Sequence, residues 1–405
     1  MNEQEKLKAI IDLGLETTRV QDIDLLLERV LEKAREFFNA DAGSIYLKQG
    51  NILEFKYTQN DTLQKRLPPG RKLIYSTFTV PVNTSSIAGY VAQSGETLNI
   101  PDVYRLKENV SYRFDQAYDE LSGYRTQSML TCCLKTHRGE IVGVLQLINA
   151  KDEGGRIVPF AKSAEPLVLH FANNAAVAIE RALLIRTILL RMITMAELRD
   201  PKETGAHVNR VASYAVEIYD TWALKQGFSA ETTERNKDLL RMAAMLHDVG
   251  KIAVPDAILK KPARLTDEET AVMKQHAWLG ARLFSQRFSD FDEAACAVAL
   301  DHHERWDGTG YPGHIDPGTG KPSGGYAASQ GKRGEEIHPF GRVVSIADVY
   351  DALSSKRSYK EAWDEARVLE TMREESGRQF DPEMIDAFFS SLEVIKAIAQ
   401  RYPGQ

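Results

Sequence analysis

A chain of 405 residues, 43% hydrophobic and 27% charged, has an ordinary water-soluble composition and the length for two or three domains with separate cores. Its net charge of −6 offers no basic footprint for nucleic acid or an anionic membrane, and no run of 18 apolar residues is present to span a bilayer. Three cysteines, Cys132, Cys133 and Cys296, make no disulfide framework, and the charged start Met1-Asn2-Glu3-Gln4-Glu5-Lys6 lacks a signal-peptide core, so the expected setting is the reducing cytoplasm.

Residues 22–38 place Ile23, Leu26, Leu27, Val30, Leu31 and Ala34 at helical spacing, which predicts an amphipathic helix. Leu53, Phe55 and Tyr57 alternate with polar residues, the pattern of a half-buried strand. Ser86 to Gln93 reads as a short helix ended by Gly95. The apolar, β-branched runs 128–134 and 141–148 flank His137-Arg138-Gly139 and read as a hairpin. Adjacent Cys132 and Cys133 then face opposite sides of the sheet as packing residues.

From about Ser163 to Arg199 the pattern is helical throughout. Ala178, Ala182, Ile185, Leu189, Met192 and Ala196 alternate steps of four and three, a short coiled-coil seam. Two readings stay open: a helix packed on its own domain, or a linker that pairs with its copy in a homodimer. After Pro201 helical patterns dominate, at 207–224, 235–247, 266–287, 291–302, 340–353, 361–376 and 382–400. Gly, Ser, Pro and Lys dominate 313–335, a long loop set among those helices.

Metal-binding residue types recur along that second half: His207, His247-Asp248, His276, His302-His303 and Asp348. His247-Asp248 closes the apolar run Leu239 to Leu246, and His302-His303 closes Ala294 to Leu300. Polar pairs at the ends of buried helices must be satisfied, and metals sharing ligands would do so. With two oxygens, Asp248 is the natural bridge between two cations. Singly, the pair 247–248 also reads as a helix cap, and His276 as a surface histidine. Asp348 and Asp351 are one helical turn apart, so one can orient a partner of the other. Five helices each carrying such a residue near a buried end argue jointly for a metal cluster.

Residues 199–390 resemble the HD-GYP branch of the HD metal-dependent phosphohydrolases. The likeness rests on His207-Val208-Asn209-Arg210-Val211, His247-Asp248-Val249-Gly250-Lys251, the stretch His302 to Pro312, Asp348 to Leu353, and Arg357-Ser358-Tyr359-Lys360. It implies hydrolysis of cyclic di-GMP to pGpG or GMP by metal-activated hydroxide. It further implies one metal held by His207, His247, Asp248 and Asp348, a second by Asp248, His276, His302 and His303, and a third reached through Glu203. Imidazole with carboxylate suits Fe, Mn or Zn better than Ca or Mg, and among these the resemblance points to iron first, with manganese the other choice. Lys251 is similar to a lysine that contacts the phosphate and assists the leaving oxygen, and Arg357 and Lys360 to residues that grip substrate phosphates. The Gly308 to Pro312 loop is implied in substrate fit and in contacts with diguanylate cyclase domains. An insertion near 313–333 departs from the family pattern and leaves substrate access and partner choice open.

Residues 20–182 resemble a GAF sensory domain through Ala42-Gly43-Ser44-Ile45-Tyr46-Leu47, Ser86-Ile87-Ala88-Gly89-Tyr90-Val91 and Val142 to Ala150. The resemblance implies an antiparallel sheet flanked by helices and leaves the GAF ligand unidentified. Asn149 and Lys151 match part of a cyclic-nucleotide-binding motif whose remainder is missing. The expected chain is thus multidomain α+β: a GAF domain over 1–182, a linker helix over 183–200 and an all-α HD-GYP domain over 201–405. The expected function is a cyclic di-GMP phosphodiesterase regulated through the GAF domain. The alternatives are an idle receptor that docks cyclases, or a hydrolase of another cyclic dinucleotide or of pGpG.

Overall fold

Asp22 starts helix α1 (Ile23–Phe38) in a computed structural model that describes residues 20–68, 78–197, 205–327, 330–355 and 363–402. Its carboxylate accepts from the Asp24 and Leu25 amides at 2.9 and 3.1 Å, satisfying two donors that the first turn leaves open. Asn39 ends the helix in the left-handed region. Leu26, Leu27, Val30 and Leu31 are fully buried, each contributing roughly 1.5–3 kcal/mol.

The strands that follow are β1 (Ala40–Gln49), β2 (Ile52–Asn60), β3 (Thr79–Pro81), β4 (Leu98–Ile100), β5 (Met129–Lys135), β6 (Ile141–Lys151) and β7 (Ile157–Val158). They form one antiparallel sheet in the order β3-β2-β1-β6-β5-β4, with β7 also on β6. Alternation decides its faces. Ile45, Leu47, Leu145 and Leu147 pack against α1 and against α3 (Ala164–Glu197). Tyr46, Phe55 and Val144 point the other way, toward α2 (Ile87–Ser94). Cys132 joins the first core and Cys133 the second, both as free thiols. Burial pushes the Cys133 thiol up to about 11, so it stays protonated.

Ala178 and Ala182, the first two seam positions, are buried in the core of their own domain. The outward stripe is a different one, Val177, Leu184, Ile188 and Met195, 50, 61, 49 and 61% exposed. Small alanines let α3 lie close on the sheet, and these larger residues on another side of the helix are left outside.

The chain divides into compact units between Arg186 and Thr187. In the second, α4 (Gly205–Lys225) is buried on nearly all sides and takes α5 (Ala230–Ala244), α9 (Pro339–Ser354) and α11 (Pro382–Ser390) against it. The remaining helices named here are α6 (Asp267–Lys274), α7 (His276–Arg282), α8 (Asp290–Asp301), α10 (Glu365–Glu374) and α12 (Leu392–Arg401). Two helices expected as continuous are broken: 266–287 at Gln275 and 382–400 at Ser391. The expected 235–247 helix also ends early, at Ala244, and Gly250 lies within a 3-10 turn, Val249–Ala253. No described helix is long and apolar enough to cross a membrane.

Candidate metal centre

Three helix ends in this unit each deliver a histidine. His247 follows the end of α5, His276 opens α7 after the break at Gln275, and His302-His303 follow the last residue of α8. At these ends the carbonyls have spare acceptor capacity, and the imidazoles use it. His247 Nδ1 meets the Ala244 carbonyl at 2.8 Å, His276 Nδ1 the Met273 carbonyl at 2.7 Å, and His302 Nδ1 the Val298 and Ala299 carbonyls at 3.0 Å. A carbonyl only accepts, so Nδ1 carries the proton and the Nε2 lone pair faces inward.

What those lone pairs face is Asp248. Its Oδ1 lies 3.1 Å from His276 Nε2 and 3.7 Å from His302 Nε2, while its Oδ2 lies 3.2 Å from His247 Nε2 and 2.7 Å from Lys251 Nζ. Asp248 Oδ1 and the Nε2 atoms of His276 and His302 are buried without hydrogen-bond partners. Three orphaned buried donor atoms aimed at one point are costly unless a cation takes them. Donor atoms of Asp248, His276, His302 and His303 lie within 4.8 Å of one another, as do those of His207, His247 and Asp348. These separations approach what ligands about 2.1 Å from one ion require. The residues present fit two metal ions.

The electrostatics keep the donors in ligating form. Burial disfavours the Asp248 carboxylate, but Lys251 and His247 outweigh it and hold its pKa well below the usual range. Burial, with His302 and His276 adding to it, holds His303 neutral well below its ordinary pKa. His276 is 2% exposed, which overturns its reading as a surface histidine; the helix break turns it inward.

Backbone contact sets the spacing. A Cβ on Gly250 would overlap the His276 carbonyl and the Gly280 backbone, so only glycine lets the Asp248 turn lie against α7. Gly310 likewise lies on the Glu304–Arg305 backbone, folding the Gly-Tyr-Pro loop under the histidines. Tyr311 then stacks on His303 with centroids 4.8 Å apart, and Lys274 Nζ sits 4.9 Å over the phenol ring.

Asp348 Oδ1 lies 3.6 Å from His207 Nε2. Asp351, one turn on, is the residue that orients: it takes His207 Nδ1 at 2.8 Å and Arg210 at 2.6 and 2.9 Å. The resemblance made Asp348 a ligand, but sequence reasoning gave Asp351 no settled role and Arg210 none, although Arg210 lies one turn after His207 on α4. It also missed Glu304, whose buried carboxyl accepts from the Gly313 and Lys332 amides and so ties together the two ends of the insertion. Within the insertion, Ile315 bridges Pro322 and His314 stacks on Tyr326 at 3.5 Å. Glu203, Arg357 and Lys360 lie outside the described residues.

The HD domain family matches residues 192–384 and the GAF domain family residues 22–179. A cyclic di-GMP phosphodiesterase of Vibrio cholerae is 38% identical over 219 residues, 53% of this chain and 41% of that protein. The 3'3'-cGAMP-specific phosphodiesterase 2 of the same organism is 34% identical over 202 residues, 50% of this chain and 34% of its own. The cyclic di-GMP phosphodiesterase response regulator RpfG of Xanthomonas campestris is 36% identical over 217 residues, 54% and 50% of the two chains. The chain therefore spans half or less of the length of these relatives. The solved GAF domain of an Acinetobacter phosphoenolpyruvate-protein phosphotransferase aligns with 46% of this chain and 99% of its own at 16% identity, with a TM-score of 0.34. From the domain matches and the two folds, the chain belongs to the proteins that join a GAF domain to an HD domain.

Proposed function

We propose that the HD domain is a metal-dependent phosphodiesterase of the HD-GYP type that hydrolyses cyclic di-GMP to pGpG, to GMP or to both, under control of the GAF domain. The observation that carries this reading is Asp248, whose one oxygen faces His276 and His302 while the other faces His247 and Lys251. Such a carboxylate suits a bridge between two ions. His207, His247, Asp248 and Asp348 would hold one, and Asp248, His276, His302 and His303 the other. Glu203 extends the proposal to a third. Divalent cations, iron first and manganese second, supply Lewis acidity toward phosphodiester oxygens and make water acidic enough to attack near neutral pH.

The chain's own groups do the rest. The Nδ1 hydrogen bonds of His207, His247, His276 and His302 hold those rings with Nε2 aimed at the site. Lys251, held at Asp248, places a positive charge where phosphate charge develops and can give a proton to the leaving oxygen. Arg357 and Lys360 are proposed to grip the non-reacting phosphates. The Tyr311 loop walls the His303 side of the site and is the proposed contact for cyclase domains. The outward stripe on α3 is proposed to pair two copies into a cytoplasmic homodimer through the linker helix.

A second substrate has a specific observation behind it. The relative specific for 3'3'-cGAMP, which differs from cyclic di-GMP in one base, is 34% identical to this chain, as is a cyclic di-GMP phosphodiesterase of Thermotoga maritima. Anaerobic purification, a metal count and chromatography of both cyclic dinucleotides side by side test the proposal. Turnover of cyclic di-GMP by the metal-loaded protein is expected. Full metal occupancy without turnover of either would leave a receptor instead.

A further inference from the structure

The face of the GAF sheet turned away from α1 and α3 borders a cavity of about 360 Å³, a size that suits a small organic ligand. Its walls are aromatic, with Tyr46, Phe55, Phe78 and Phe114 among them. Phe55 and Phe78 stack at 4.4 Å, and Tyr46 meets Phe55 edge-on at 5.4 Å. Such walls take a flat ring by offset or edge contacts.

The charges argue against an anion. Asp119 is a buried acid in the lining, 6% exposed, and its oxygens are already engaged by Thr126 at 2.7 and 2.8 Å and by the Tyr104 hydroxyl at 2.8 Å. Arg113 is the cation among the described lining residues, and it is exposed, with the exposed Asp115 two residues on. A phosphate or carboxylate seated inside would meet a buried acid and, among the described residues, no buried cation, and an unpaired charge is costly to bury.

One polar group inside is under-used. Gln146 is 7% exposed and lines the cavity from β6. Its Oε1 accepts from the Tyr46 hydroxyl at 3.3 Å, and its Nε2 donates to the Met129 sulfur at 3.2 Å. A thioether is a weak acceptor, so a ligand carbonyl or ring nitrogen would take that N–H in its place.

We infer that this cavity binds an uncharged aromatic molecule whose hydrogen-bond-accepting edge meets Gln146, and that it rejects anions of the same shape, cyclic nucleotides included. The inference is independent of the metal centre and of its substrate.

Isothermal titration of the full chain with 2-naphthamide and 2-naphthoate, which share a shape and differ in charge, tests it, with cyclic GMP as the third probe. Saturable binding of the amide at one site per chain is expected, with the acid at least about tenfold weaker and no binding of cyclic GMP. Gln146→Leu should weaken the amide about tenfold, the worth of one buried hydrogen bond, and Val80→Trp, which fills the cavity from β3, should abolish its binding. Acid binding as tight as amide, saturation by cyclic GMP, no amide binding to the folded wild type, or full amide affinity in a folded Gln146→Leu would each overturn the inference. Should Gln146→Leu not fold, the amide–acid comparison on the wild type decides alone.

Discussion

The His207 imidazole and the Asp351 carboxylate are joined by a 2.8 Å hydrogen bond from Nδ1. Burial opposes ionisation of Asp351, but Arg210 and His207 outweigh it and hold its pKa below the usual range. An ionised carboxylate only accepts, so His207 keeps its proton on Nδ1 and its Nε2 lone pair toward Asp348. Asp351→Asn replaces that acceptor with an amide able to donate, and removes the negative charge that pairs with buried Arg210. Metal affinity at the His207 side should fall about 10–100-fold, read by chelator competition, and the melting temperature should drop as well. Unchanged affinity would remove Asp351 from any orienting role.

Asp248 faces both donor groups, whereas His276 faces one. Asp248→Ala should therefore strip metal from both, and His276→Ala from the second alone. Elemental analysis of anaerobically purified protein reads this directly as metal per chain. Equal losses in the two variants would contradict a bridging role. His303→Ala should lose both metal and activity, since its ring completes the second group.

Gly250→Ala puts a methyl group into the backbone of α7. Neither backbone can yield as a flexible side chain would, so a cost at the upper end of overpacking, about 3 kcal/mol, is expected. Differential scanning calorimetry should show the HD-domain transition lowered by roughly 6–12 °C. Metal should also bind less tightly, because the turn carrying Asp248 is displaced from His276. A wild-type transition would mean that the close approach is not required.

The exposed residues Leu184 and Ile188 lie four apart on the outer side of α3. If the homodimer forms there, Leu184→Glu with Ile188→Glu should give a monomer by light scattering while leaving the fold intact. Ala178→Val, on the buried side, should instead lower stability, since it overpacks the core of its own domain. A dimer that survives the double substitution would place the interface elsewhere.

Asp41 supplies a pH test in the GAF domain. Burial raises its pKa, but hydrogen bonds from Lys151, Thr62 and Tyr124 outweigh that and leave it below 3.8. The unfolded chain then binds the proton more readily than the folded one. The stabilisation is complete above the unfolded pKa near 3.8 and is lost as pH falls through the lower folded value. Urea unfolding followed by circular dichroism between pH 6 and about 2.5 should show this decline, and Asp41→Asn should flatten it. A wild-type slope in that variant would assign the acid sensitivity to other carboxylates.

The sequence by itself determined the local patterns. Alternation in β2 and the adjacent Cys132 and Cys133 of β5 assigned residues to sheet faces, and periodicity located α1, α4, α8 and α9, because a buried face is written into the order of residues along one element. The metal-type residues were legible for the same reason: a histidine or aspartate after an apolar run is visible without coordinates. Only the tertiary structure decided which oxygen of Asp248 faces which imidazole, that Asp351 rather than Asp348 orients His207, and that α6 and α7 break so that His276 turns inward. It also decided that Ala178 and Ala182 face their own core, which moved the apolar stripe of α3 to Leu184 and Ile188. Each of these depends on contacts between residues far apart in the chain, from Gly250 against Gly280 to Arg210 against Asp351, and such contacts leave no period in the sequence.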